Sequence, residues 1–341
     1  MELESARALK EEILDDFLTK AIDRLPVGAA HSFAATGTPT AARSPGHVLP
    51  AIAIGIAPGQ GSGQGRYRLA VRVQDRKIRL DRLNEYFAAV TAGEVEVVSI
   101  GKLKSHMPGG RWYQRMQRPL RPGCSIGHYQ VGAGTLGCFV TPVEPGPVGT
   151  DYMLSNNHVL ADCNRGTLGD SIYQPGQLDA GRDGLSEVGR LAKFIPIISK
   201  GDNTVDCPYA VLNRGVTALP GSLGTDRTLR GLGSEYDTNR VYKIGRTSGL
   251  TEGIITAFEV DQIDVDMPTG AHRFVNQIEI SGLDKPFSKP GDSGSLVFDD
   301  HGLGVGMIFA GTDAGGSLTH GVAYANPLGR VLDQLNVRLV V

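Results

Sequence analysis

Beginning at about Pro122, the sequence breaks into short apolar runs, and Gly, Pro, Asn or Asp punctuates almost every gap between them. "TLGCFVTPV", "DYMLSNN", "EVGRLAKFIPI", "YAVLNRG", "VYKIGRTSG", "GIITAFEVDQIDV", "FVNQIEIS", "SLVFDD" and "GVGMIFAGT" follow one another in this way. Runs of this length and spacing predict many short strands closed into a sandwich or barrels. Glycine supplies the tight turns such a fold needs: there are 46 among 341 residues, roughly twice the usual share of about 7%. A short helical pattern, "NPLGRVLDQL", and a last run, "NVRLVV", close the chain.

The part before Pro122 has a different texture. Leu9, Ile13, Leu14, Phe17, Leu18, Ile22 and Leu25 recur at spacings of three and four, which predicts an amphipathic helix within residues 1–26, stopped by Pro26. Such a helix needs an apolar partner surface, either the rest of the chain or a second copy of it in a homo-oligomer. Residues 27–48 are rich in Ala, Thr, Pro and Gly without periodicity and are expected to be a linker. Residues 49–103 run β-β-α-β, through "AIAIGIA", "YRLAVRVQ", "RLDRLNEYFAAV" and "EVEVVSIGKL", and predict a small α/β module. Leu69, Val71 and Val73 share one strand face, and Ala70 and Arg72 the other. The intervening "GQGSGQG" lacks the G-K-[ST] ending of a phosphate cradle and fits a hairpin connection. Residues 104–121 are basic, with Trp112 and Tyr113, and are expected to be a solvated linker into a unit spanning 122–341.

Charge and hydropathy narrow the partners. Lys and Arg total 34 against 36 acidic residues, so no global field draws the chain to nucleic acid or to anionic lipid. The most apolar stretch, "VLPAIAIGIAP", is far short of the ~20 residues of a membrane span, and the acidic start does not have the form of a secretory signal. A soluble, cytoplasmic protein is expected. Cys124, Cys138, Cys163 and Cys207 form no C-x-x-C pair and are expected to be free thiols.

Chemistry is suggested by three local contexts. In "KPGDSGSLV", Ser293 sits between small residues just ahead of an apolar run, a setting in which neighbouring backbone amides can face a developing oxyanion. Alone of the eight histidines, His158 ends an apolar run and opens a short turn with a hydrophobic tail, "YMLSNNHVLAD". Asp206, in "NTVDCPYAVL", leads into another apolar run, and Asp202 just before it is a second candidate acid. The order His, Asp, Ser and the sequence G-D-S-G-S exclude the α/β-hydrolase pattern, in which the serine comes first within G-x-S-x-G.

From about Gly123 onward the chain resembles the chymotrypsin/trypsin-like serine peptidases. "LSNNHVLA" is similar to that family's histidine motif, "VDCPYAVL" to its buried aspartate and "KPGDSGSLV" to its nucleophile loop, while "YKIGRTSGLTEGIIT" resembles the opening of the second barrel in bacterial members. "YRLAVRVQ" ahead of such a unit looks like the plant narrow-leaf type of trypsin-like protein and its bacterial relatives. Ser295 departs from the family's glycine two positions after the nucleophile, and the cysteine pairs of secreted members are not reproduced.

The resemblance implies a mainly β fold, two β-barrels with the reactive groups in the cleft between them, preceded by the α/β module and the helix. It implies serine endopeptidase activity with His158, Asp206 and Ser293 as a catalytic triad, Gly291 and Ser293 as oxyanion hole, a protein or peptide substrate, and no metal or organic cofactor. Phe287, six residues before the nucleophile, would lie at the base of the substrate pocket, Ala310 and Gly311 on its wall, and His320 near it. An apolar, small-to-medium side chain before the cut is then expected. The other class open to this sequence is a peptide-binding scaffold that keeps the protease fold without useful turnover.

Overall fold

A computed structural model describes residues 1–16, 52–59, 66–74, 80–91, 94–100, 112–144, 152–180, 184–312 and 314–341. The predicted strands after Pro122 form two antiparallel bodies. In the C-terminal one, the strands Arg240–Gly245, Leu296–Asp299, Leu303–Gly311, Val322–Pro327, Gln277–Gly282 and Gly249–Asp261 pair in that order, and the last returns to the first, from Arg240↔Ile254 to Gly245↔Gly249. The ring is a closed barrel, filled by Val241, Ile255, Ile280, Phe287, Val297 and Ile308.

The N-terminal body orders Cys138–Pro142, Tyr152–Leu154, Pro208–Leu212, Ser186–Phe194, Ser171–Gln174 and Ser125–His128 into one curled sheet. Its ends approach each other where Leu136 N–H donates to Cys124 O and Gly123 N–H donates to Leu136 O. Ile126, Leu136, Phe139, Met153 and Ala210 are among its buried core. The chain's last strand, Val337–Val340, crosses back to pair with Cys138–Pro142 and ties the two bodies together. This is the mainly β, chymotrypsin-like double barrel that the sequence predicts.

"GIITAFEVDQIDV", read in sequence as one run, is two strands. Glu259 and Gln262 adopt positive φ (51° and 60°), and the chain turns out of the barrel into a hairpin, Ile263–Met267 with Gly270–Phe274. The short strand Asp202–Asn203 pairs alongside it.

The β-β-α-β order also appears, as Ile52–Pro58, Tyr67–Val73, the helix Leu80–Val90 and Val95–Ser99. The last two strands are parallel, a geometry that needs a crossover, here the helix. Leu69, Val71 and Val73 pack on that helix through Leu83 and Phe87. This sheet continues the C-terminal barrel, because Ile52–Pro58 pairs with Gly249–Asp261 at Ile54↔Asp261 and Ile56↔Phe258. The opposite strand face is therefore buried as well. Arg72, only 1% exposed, reaches Glu279 at 2.7 Å and Glu96 at 2.8 Å, and Glu279 also accepts from Tyr324 Oη at 2.8 Å.

The leading helix spans Leu3–Asp16, starting earlier than the periodicity predicts. Its apolar face, with Ala6 and Ile13, is covered by strands of its own chain. Arg7 pairs with Glu259 at 2.5 Å and Lys10 with Asp261 at 2.7 Å, pinning the helix to the end of Gly249–Asp261. The expected continuation to Leu25, the 27–48 linker, the tip of the glycine loop and residues 102–111 lie outside the described residues. No helix among the described residues is long and apolar enough to cross a membrane.

Candidate active site

Tyr152–Leu154 delivers the chain into a one-turn helix, Asn157–Leu160, that carries His158 at the junction of the two barrels. The turn is locked from both sides. Asn157 and Asn164 exchange hydrogen bonds, Asn157 Nδ2 to Asn164 Oδ1 at 2.9 Å and Asn164 N–H to Asn157 Oδ1 at 3.0 Å. Between them Asp162, Cys163 and Asn164 take positive φ values of 47°, 53° and 71°, an uncommon backbone for side chains with a Cβ. The clamp therefore holds the helix end in a tight left-handed turn.

Asp206 is fully buried and lies 2.5 Å from His158 Nδ1 through Oδ2. Its other oxygen accepts from the Asn157 and His158 backbone N–H groups, at 2.6 and 3.3 Å. The backbone of Asp206 is held across the barrel junction: its N–H donates to Asn326 Oδ1 at 2.8 Å, and Asn326 in turn donates to Gln277 at 2.6 Å. Asp202, the other candidate acid, is exposed on the three-stranded sheet, and the carboxylate on the imidazole is that of Asp206.

Ser293 follows a loop in which each carbonyl from Pro290 to Ser293 is engaged. Thr247 Oγ1 donates to Pro290 O at 2.5 Å, and Thr135 Oγ1 to Gly291 O at 2.9 Å. Ser295 donates to Asp292 O twice, through its N–H at 2.9 Å and its hydroxyl at 2.5 Å, and Thr135 N–H donates to Ser293 O at 2.8 Å. Two of the four N–H groups from Gly291 to Gly294 are also used, Asp292 to Lys289 O and Gly294 to Ile308 O. Those of Gly291 and Ser293 donate to no group among the described residues.

Gly291 has φ +93°, and a Cβ there would meet Arg246 Nη1 at 2.5 Å. A Cβ on Gly294 would lie 2.1 Å from Ser155 Oγ. Only glycine fits at either place.

Asp292 points away from the cleft into the C-terminal barrel. It meets Lys243 Nζ at 3.2 Å and accepts from the Thr247, Ser248 and Lys289 N–H groups and from Ser248 Oγ. Burial pushes this carboxyl up, but Lys243 and the Ser248 donors outweigh it and hold it below the usual carboxylate range. Burial lowers the Lys243 ammonium more than Asp292 raises it. With four donors besides Lys243, Asp292 is held as the carboxylate.

A cavity of about 340 Å³ opens between the barrels, and His158, Gly291 and Ser293 all line it. Ala310 and Phe309 form one wall, Val131 and Ala133 another, and the tip of the hairpin, Val265 to Pro268, a third. His158 Nε2 is buried and has no hydrogen-bond partner among the described residues, Ser293 Oγ included. Catalytic hydrogen bonds are often long without substrate.

Three expected pocket residues are placed elsewhere. Phe287 is in the barrel core, its ring against the backbone of Gly253 and among Ile255, Ile280 and Val297. Burying an aromatic ring there removes more apolar surface from water than lining an open cleft would. Gly311 is buried beside Ser288 and does not line the cavity. His320 is half-buried in a loop bridged to Gly315, also outside it. Ala310 alone of this group reaches the cavity.

The hairpin wall was not anticipated from sequence. The turn signal "PTG" after the alternating "IDVDM" is the local sign of it. All four cysteines are free and buried, and burial pushes the Cys163 thiol, nearest in sequence to His158, up to about 12.

A family model described as "Nal1 C-terminal domain" matches residues 232–341. No curated protein matches the chain. Solved structures similar to it include Thermobifida fusca Protease A, 15% identical with a TM-score of 0.45 over 65% of this chain and 100% of that one. The Nocardiopsis protease NAPase is 17% identical, with a TM-score of 0.45 over 65% of this chain and 100% of its own. Cellulomonas bogoriensis chymotrypsin is 17% identical, with a TM-score of 0.42 over 65% and 99%.

Proposed function

We propose that the chain is a serine endopeptidase, of the trypsin-like kind to which the narrow-leaf type belongs, that cleaves protein or peptide substrates through an acyl-enzyme. One observation carries the reading. A buried carboxylate fixes the imidazole of His158 from Nδ1, and the same imidazole lines a cavity with Ser293 and two amides that have no partner among the described residues.

Ser293 Oγ attacks the scissile carbonyl carbon, and His158 Nε2 takes the hydroxyl proton and returns it to the leaving amine. Asp206 holds the tautomer with its proton on Nδ1 and stabilises the imidazolium that forms. The Gly291 and Ser293 N–H groups receive the negative charge that develops on the carbonyl oxygen. Water then attacks the acyl-enzyme by the same proton route. Serine is the nucleophile of this design; the buried, protonated cysteines are not suited to it.

The missing hydrogen bond at His158 Nε2 favours a second reading, a protease-fold scaffold that binds peptides without turnover. Digestion of an unfolded protein substrate separates the two. Proteolysis that falls about 10⁴-fold or more in Ser293→Ala and in His158→Ala supports the peptidase. Equal rates in wild type and Ser293→Ala, or no cleavage by folded wild type, leave the scaffold.

A further inference from the structure

In a trans peptide the N–H and C=O groups point in opposite directions, so whatever fixes the carbonyl also aims the amide. Neither Pro290–Gly291 nor Asp292–Ser293 is cis. The carbonyl of the first is held by Thr247 Oγ1 at 2.5 Å, and that of the second by Ser295 Oγ at 2.5 Å with support from Ser295 N–H at 2.9 Å. These are the two peptides whose N–H groups have no acceptor among the described residues. The two that alternate with them have N–H groups already spent inside the protein, and both of their carbonyls go to Thr135.

On the reading of Ser293 as nucleophile, we propose that Thr247 and Ser295 are positioning residues for the oxyanion hole: each hydroxyl ties back one carbonyl so that the opposite N–H faces the reacting oxygen. Ser295 stands where the resembled family has glycine. Its side chain is fully buried and supplies a donor that glycine lacks.

Thr247 is half-buried at the turn after Arg240–Gly245, with its own N–H on Asp292 Oδ1 at 2.9 Å. Its hydroxyl is the sole donor to Pro290 O among the described residues, whereas Asp292 O keeps a second donor when the Ser295 hydroxyl is removed. The two substitutions should therefore differ in size. Neither residue touches substrate in this scheme.

The test uses the full chain and p-nitrophenyl acetate, whose carbonyl oxygen becomes the oxyanion when Ser293 is acylated. The burst is read for its limiting acylation rate and for the ester concentration at half saturation. Thr247→Val should slow limiting acylation about 10- to 100-fold, approaching the loss of one oxyanion donor. Half saturation and melting temperature should stay near wild type, and Thr247→Ser, which restores the hydroxyl, should recover the rate. Ser295→Ala should slow it less, about 3- to 10-fold, because one donor remains.

Wild-type rates in both folded Thr247→Val and Ser295→Ala overturn the inference while leaving the peptidase reading intact. So does a loss confined to half saturation. Release of p-nitrophenol by folded wild type no faster than by Ser293→Ala overturns the peptidase reading, and this inference with it. Should Thr247→Val not fold, Ser295→Ala and Thr247→Ser carry the same comparison: slowed acylation in the first with a normal rate in the second supports the inference, and unchanged acylation in the first overturns it.

Discussion

Two buried ion pairs in this molecule, Arg72–Glu279 and Lys243–Asp292, are built from similar parts for different ends. Arg72 and Glu279 come from distant parts of the chain, the N-terminal sheet and the C-terminal barrel, and each is only 1% exposed. Their shell is sparse: Glu96 on one side, Tyr324 and Thr256 on the other. Asp292, by contrast, collects three backbone N–H groups and a hydroxyl besides Lys243. The first pair joins a segment to the fold. The second shapes the backbone of a loop, through the Thr247, Ser248 and Lys289 N–H groups that Asp292 gathers. Buried pairs add little net stability over apolar replacements, but removing one partner strands the other's charge.

The two should consequently fail differently. Arg72→Met leaves Glu279 buried without its cation, and a stability loss of about 3–5 kcal/mol is expected in urea unfolding. The fraction still folded should react at Ser293 as wild type does; a selective loss of reactivity would show that the N-terminal sheet acts on the site.

Lys243→Met should cost less stability, about 1–3 kcal/mol, because Asp292 keeps its other donors and the desolvation of the ammonium is relieved. Reactivity of Ser293 should nonetheless fall, since the loop loses one of its anchors. Equal stability losses in the two variants would erase the distinction.

The smallest effect expected is on the hairpin that walls the cavity. Burial pushes the Asp264 carboxyl up to about 6, against the opposing pull of Arg273 at 3.4 Å. The folded chain thus holds that proton to higher pH than the unfolded one, whose carboxyl titrates near 3.9. Stability from this group declines as pH rises from about 4 to about 6 and stays lower above it. Asp264→Asn should flatten that slope in melting temperature against pH. An unchanged slope would place the titrating group elsewhere.

What sequence made legible follows the range of the forces involved. His158, Asp206 and Ser293 sit in short contexts whose local texture marks them, and the structure brings His158 to Asp206 and to the cavity with Ser293. The strand rhythm after Pro122 depends on turns, which are local too. Pocket residues depend on which way a strand faces once the barrel closes. Counting six positions back from Ser293 therefore reached Phe287, a ring that the core takes.

Arg72 shows the same limit. Its place opposite Leu69 and Val71 was readable from alternation, but its carboxylate partner lies on a strand far away in sequence. The hydroxyls of Thr247 and Ser295 look like ordinary loop polarity until the carbonyls they hold are known.

Labelling by a fluorophosphonate, which reacts with an activated serine and not with an ordinary one, tests the central claim most directly. Intact protein should take up one equivalent, mapped to the peptide containing Ser293, and lose the label in Ser293→Ala and nearly all of it in His158→Ala. Folded protein that stays unlabelled, or carries label equally in Ser293→Ala, would contradict the assignment of this site as an activated nucleophile.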